Sequence, residues 1–245
     1  MGIFKISADK FEWIGGVADD PQDLCLHSHV TVQFGDTVLE DYGTVSATAL
    51  YLLKTLSEDK IMAYHDIQMI PCCGHTLIAN NDLTEVIISG CDNGTDWSTV
   101  HEENSVRFIL PSGHEEVVTL REYRYAVLDF ADQVKHFYDS CTPKELPGNE
   151  FDRNGYIAFW NEWQRRYNEG LMLLSLETGR EMELSHNGLH YFVSHKGIEV
   201  EWSLYCEESN ELQIYPGRKV FYENARLGDK LLRDEIANIA FDAIL

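Results

Sequence analysis

The chain has 245 residues, of which 41 are Asp or Glu and 19 are Lys or Arg, so its formal charge is −22. A hydrophobic fraction of 44% excludes a disordered chain, and the longest apolar stretch, residues 47–56, is far short of the ~20 residues a membrane-spanning helix needs. Acids outnumber bases about two to one, which disfavours direct contact with a phosphate backbone, so neither nucleic acid nor membrane is expected as a partner.

The opening Met1-Gly2-Ile3-Phe4-Lys5-Ile6 is too short and too quickly polar for a secretory signal. A cytoplasmic location is expected, with the six cysteines kept as thiols. Residues 3–35 read as strands, with a turn at Asp19-Asp20-Pro21. Leu24, Leu26, Val30, Val32 and Phe34 share one parity and Cys25, His27, His29, Thr31 and Gln33 the other, the period of a half-buried strand that ends at Gly35-Asp36. Ala49, Leu52, Leu53 and Leu56 recur at helical spacing and predict a helix over 45–57, with Thr44 or Ser46 as its cap.

Strand chemistry returns over 66–119. Ile67, Met69 and Pro71 alternate with polar residues, and Val86-Ile87-Ile88 is a short apolar run. Asp92-Asn93-Gly94 carries the signature of a hairpin turn. Strands at 97–101, 106–110 and 116–119, with turns at Glu103-Asn104 and Ser112-Gly113, make an antiparallel meander. Helices follow at 120–140, with a stripe from Leu120 to Phe137, and at 150–168, rich in aromatics. After Asn168-Glu169-Gly170 the pattern restarts with strands at 170–176, 181–185, 190–195, 199–206 and 211–215, and a last helix at 229–244. The order of strands, helices, strands and helix gives an α+β class: antiparallel sheets packed on helices, with a smaller C-terminal β-meander plus helix module. The boundary falls at 168, giving 1–168 and 169–245.

Cys25, His27 and His29, with Cys72, Cys73 and His75, are residue types that bind zinc. Residues i to i+4 of a strand span ~13 Å, however, and no C-x₂-C pair is present, so no metal and no cofactor are expected. Cys141 follows a helix and lacks the N-terminal dipole that acidifies a thiol. There is no G-x-S-x-G, P-loop or G-x-G-x-x-G. Asp92-Asn93-Gly94-Thr95-Asp96 has the outline of a calcium loop, but Gly94 stands where the third-position ligand belongs. No catalytic residue is therefore assigned.

Four stretches carry a family resemblance. They are Asp19-Asp20-Pro21-Gln22-Asp23-Leu24-Cys25-Leu26-His27 with the strand to Phe34; Thr44-Val45-Ser46-Ala47 running into Leu50-Tyr51-Leu52-Leu53; Asn93-Gly94-Thr95-Asp96-Trp97 with Val100-His101-Glu102; and Phe130-Ala131-Asp132-Gln133-Val134 through Phe159-Trp160-Asn161-Glu162-Trp163. This set resembles small acidic bacterial immunity proteins of polymorphic or contact-dependent toxin systems. The resemblance implies a non-enzymatic binding protein that neutralises a cognate, basic toxin domain, such as a nuclease, by occluding its active site. The contact residues then expected are acids on turns: Asp19, Asp20, Asp23, Asp92, Asp96, Glu102, Glu103, Glu207 and Glu208. Two other readings stand beside it: a zinc- or thiol-dependent hydrolase built on the Cys/His groups, and a homo-oligomeric assembly protein.

Overall fold

The computed structural model describes residues 3–17, 19–63, 67–74 and 76–245. The chain divides into two compact units, residues 1–163 and 164–245.

In the first unit, β1 (Phe4–Ala8), β2 (His27–Phe34) and β3 (Thr37–Thr44) form an antiparallel sheet in that order. The expected alternation of β2 places Val30, Val32 and Phe34 in the core. The strand ends at Gly35-Asp36 as expected, and the sheet continues beyond it. Gly35-Asp36 is a two-residue turn, Phe34 pairing with Thr37, and Gly35 has φ 58°. Strand β3 escapes a periodicity search because it is an edge strand whose Val38 and Tyr42 are exposed. Helix α1 (Val45–Lys54) follows, then a hairpin of β4 (Thr76–Ala79) and β5 (Val86–Ser89) and a meander of β6 (Ser98–His101), β7 (Ser105–Ile109) and β8 (Glu115–Thr119).

Asp92-Asn93-Gly94 is not a hairpin turn. It links β5 to β6, strands of different sheets, and the Ile67-Met69-Pro71 stretch contributes only an isolated bridge, Ile70 to Thr95. That bridge requires close backbones, since a β-carbon at position 94 would lie 2.3 Å from the Ile70 carbonyl oxygen.

Helix α2 (Leu120–Ser140) opens with a capping box: Glu122 N–H donates to Thr119 Oγ1 (3.1 Å), and Thr119 N–H to the Glu122 carboxylate. Its Tyr123 closes an aromatic core. Phe4 stacks on Phe108 with centroids 4.9 Å apart, meets Tyr123 edge-on at 5.0 Å, and Phe34 reaches Trp97 at 5.3 Å. The Tyr123 hydroxyl is 2.6 Å from Thr55 Oγ1, fixing α2 to the end of α1.

Helix α3 (Glu150–Thr178) is far longer than expected and is divided between the units at 163/164. In the first unit its buried Glu162, 1% exposed, accepts from Val86 N–H at 2.8 Å and pairs with Lys54 at 3.1 Å.

Asn168-Glu169-Gly170 does not break α3, and 170–176 is helix rather than strand. Asn168 faces the core of the second unit, where its side-chain amide donates to the carbonyls of Ile236 and Ile239, each at 2.9 Å. The true end is at Gly179, with φ 69°, where Arg180 N–H returns to the Ser175 carbonyl at 2.9 Å. That is a Schellman closure.

The second unit continues with β9 (Met182–His186), β10 (Leu189–Gly197), β11 (Glu201–Cys206) and β12 (Glu211–Tyr215), as the alternation predicts, then α4 (Gly217–Asn224), β13 (Arg226–Leu227) and β14 (Lys230–Leu231). The predicted helix at 229–244 is instead β14, a 3₁₀ turn over Leu232–Asn238 and β15 (Ala240–Ile244), which pairs antiparallel with β9 in the sheet order β12-β11-β10-β9-β15. Leu232, Ile236 and Ile239 are buried as a helix would bury them, but the open edge of β9 captures the chain that follows. Trp202, fully buried, centres this core and donates its indole N–H to the Ile198 carbonyl at 2.7 Å.

Gly179 lies in the left-handed region, and a β-carbon there would also stand 2.9 Å from Ile198 Cγ1. Gly179→Ala is expected to lower stability by about 1–2 kcal/mol, read as a shifted urea midpoint with an unchanged m-value.

Candidate functional site

The acids expected to face a partner divide by what they already hold. Asp19 accepts from the Thr142 hydroxyl (2.6 Å) and Thr142 N–H (2.8 Å), and these donors, the hydroxyl foremost, hold its carboxyl below the usual range. Asp20 accepts from Gln22 N–H at 2.9 Å, and its backbone carbonyl takes a 2.6 Å bond from Lys144. Asp23 ties Ile14 N–H (2.6 Å) to Cys25 N–H (3.0 Å). The three therefore shape the loop before β2, where the Lys144 ammonium also sits 3.1 Å from the centre of the Trp13 ring.

Asp96 is mostly withdrawn from solvent, pairs with Lys60 and accepts from Met69 N–H at 3.0 Å. Burial raises its pKa against the opposing pull of Lys60. Glu102 is exposed yet binds Arg107 Nε at 3.0 Å and the Ser105 hydroxyl at 3.1 Å. Glu208 accepts from His190 N–H (2.9 Å) and from its ring Nδ1 (2.7 Å), which brings its pKa down to about 2 and raises that of His190. Glu103 and Glu207 are exposed between paired strands, and Asp92 is exposed on the link from β5 to β6.

The Cys/His groups are rearranged. Cys25 is buried, with its thiol aimed at the Gly74 carbonyl (3.6 Å), and burial pushes its pKa up to about 12. His27 is buried, His29 is exposed, and both rings lie against Tyr42. Their shared parity does not give the three one solvent-facing side, because the residues ahead of β2 and at its start turn inward. His75 lies outside the described residues.

Cys72 and Cys73, adjacent in sequence, both converge on Cys91. The three sulfurs lie within 4.8 Å of one another, and the Cys91 and Cys72 sulfurs are 3.3 Å apart. The strand register brings them together: Thr76 pairs with Ser89, so the residues just outside the hairpin on both sides face each other. A β-carbon at position 90 would stand 1.9 Å from the Cys73 carbonyl oxygen, so only glycine fits there. Cys91 N–H donates to the Cys73 sulfur at 3.2 Å. The Asn93 N–H and the two neighbouring thiols lower the Cys91 pKa, while holding its proton towards the Cys91 thiolate raises that of Cys72 to about 11.

Sequence reasoning overlooked Cys91 because it is 18 residues from Cys73. The one available signal was the short apolar run Val86-Ile87-Ile88 with a cysteine just beyond its end. A second group, His190 with Glu207 and Glu208, is exposed. A groove of about 210 Å³ lined by Tyr51, Lys54, Thr55, Lys60 and Met69 has both lysines committed, to Glu162 and Asp96. No protein-family model, curated protein or solved structure matches this chain.

Two outcomes follow. The His190 imidazole should titrate above the ordinary value of about 6.5, and Glu208→Gln should bring it down, read by proton NMR. The ion pair is then intact where Glu208 is ionised and His190 protonated; it is lost as pH rises through the raised His190 value and as pH falls towards 2. Limiting iodoacetamide should label Cys91 ahead of Cys72 and leave Cys25 unmodified, read by peptide mass mapping.

Proposed function

We propose that this chain is an acidic cytoplasmic binding protein that neutralises a basic toxin domain by covering its active site. The observation that carries the reading is the distribution of charge. Residues 1–163 hold 27 acids against 10 bases, a balance of −17, while residues 164–245 hold 14 against 9, a balance of −5. The first unit thus carries most of the field that would steer a cationic partner.

Hydrogen bonds sort the contact candidates further. A carboxylate that already satisfies backbone N–H groups, as Asp19 and Asp23 do, is a poor partner ligand, because rebinding would strip those donors. Exposed turn acids such as Glu103 and Glu207 can meet Lys or Arg at the rim of an interface. Glu102 meets such a partner only by sharing Arg107. Occlusion of an active site needs no catalytic group on this chain, which agrees with the lack of a catalytic motif in the sequence.

The test is to mix the purified chain with the basic product of the neighbouring upstream reading frame. A stoichiometric complex is expected, with the toxic activity lost on mixing and an association rate that falls steeply with salt. Glu103→Lys should slow association by roughly two- to tenfold at low salt, with little effect at high salt, and Glu207→Lys should do less because the second unit carries less charge. A complex whose rate ignores salt and every charge reversal would sink the electrostatic mechanism, and the absence of any complex would sink the reading.

A further inference from the structure

We propose that Cys72, Cys73 and Cys91 are a zinc site, in which three thiolates hold one ion and water takes the fourth position. Tetrahedral zinc with Zn–S bonds of ~2.3 Å sets its sulfurs ~3.8 Å apart. The separations here, 3.3 Å for Cys72 to Cys91 and none beyond 4.8 Å, bracket that value, so small side-chain rotations complete the geometry. The ligand type is also right, since thiolate sets select zinc among the common divalent ions.

The scaffold is fixed before any ion arrives. Ile70 exchanges two backbone hydrogen bonds with Thr95 (2.9 and 3.0 Å), the Pro71 carbonyl accepts from Thr44 N–H (2.8 Å), and the Gly74 carbonyl faces the Cys25 thiol. Segment 70–74 is thus held on both sides of the two cysteines, and the glycine at position 90 admits the third strand end. The Cys91 backbone N–H donates to the Cys73 sulfur at 3.2 Å and helps to orient it. All three side chains are partly exposed, which gives an ion a path in, and the acidic surroundings of the first unit raise the local cation concentration.

Binding is a proton exchange: three S–H bonds break, three Zn–S bonds form, and three protons leave to solvent. Three thiolates on Zn²⁺ give the centre a net charge of −1, which blunts its hold on bound water. The ion therefore ties segment 70–74 to the end of β5, rather than activating water for hydrolysis.

The test is titration of the reduced full-length protein with Co²⁺ as a spectroscopic probe, then with Zn²⁺. One equivalent should bind with intense sulfur-to-metal charge-transfer absorption that zinc abolishes, and saturating zinc should raise the melting temperature. Cys72→Ser, Cys73→Ser and Cys91→Ser should each weaken binding by more than about 100-fold, since even outer-shell changes cost 10–100-fold, while Cys141→Ser should bind as the unaltered chain does. Circular dichroism checks the fold of each variant, and the wild-type titration stands even if a variant fails to fold. Failure of the reduced wild-type protein to take up one equivalent overturns the proposal, whether or not a Cys72–Cys91 disulfide is found before reduction. So does an equal loss in Cys141→Ser.

Discussion

A β-carbon at position 43 would lie 2.5 Å from the Pro71 carbonyl oxygen, and one at position 90 would lie 1.9 Å from that of Cys73. Both distances are shorter than any side chain tolerates, so two glycines permit segment 70–74 to run between the end of β3 and the end of β5. Much of the first unit depends on that passage. It gives the Thr44 N–H at the start of α1 an acceptor, it sets the bridge from Ile70 to Thr95 that positions β6, and it delivers two cysteines to a third. A segment with so little regular structure holds its place because its backbone groups are paired, as buried backbone must be.

The charge of the molecule has two parts that composition alone does not separate. Some carboxylates are internal fastenings: Asp19 and Asp23 shape the loop before β2, Asp96 pairs with Lys60, and Glu162 joins α1, β5 and α3 from a position almost closed to solvent. Buried acids of this kind persist because each is paired with a base or with backbone donors. Others, such as Glu103 on its turn, are exposed and contribute to the long-range field. An acidic protein that fastens itself with part of its charge and presents the rest suits a binding role in which approach is electrostatic and the final contact is shaped by the fold.

The second unit shows how one set of apolar residues serves different local structures. Leu232, Ile236 and Ile239 recur at helical spacing and are buried, yet no α-helix forms there. A 3₁₀ turn buries the same side chains, and β15 then completes the sheet at β9. Asn168, by contrast, has the residue type of a loop and sits inside a helix, because two carbonyls at the edge of that 3₁₀ turn need a donor. In both places a tertiary partner overrides a local preference.

The sequence by itself determined what adjacent residues decide. Alternation in 27–34 and 98–119 defines strands, the stripe from Leu120 to Phe137 defines α2, and the separated blocks of strand and helix give the α+β class with a C-terminal meander. Two local signals went unread there: the Thr119-x-x-Glu122 box, and Gly179, a stronger helix stop than Asn168-Glu169-Gly170. Tertiary structure alone decided the rest: the edge strand β3, the continuation of α3 through 168–170, the strand at 240–244, which acids are fastened, and the meeting of Cys91 with Cys72 and Cys73. The reason is the range of the interaction. Periodicity reports which face of an element is apolar, but a partner 18 or 68 residues away is set by strand register and by close backbone contact, and neither leaves a mark in neighbouring residue types.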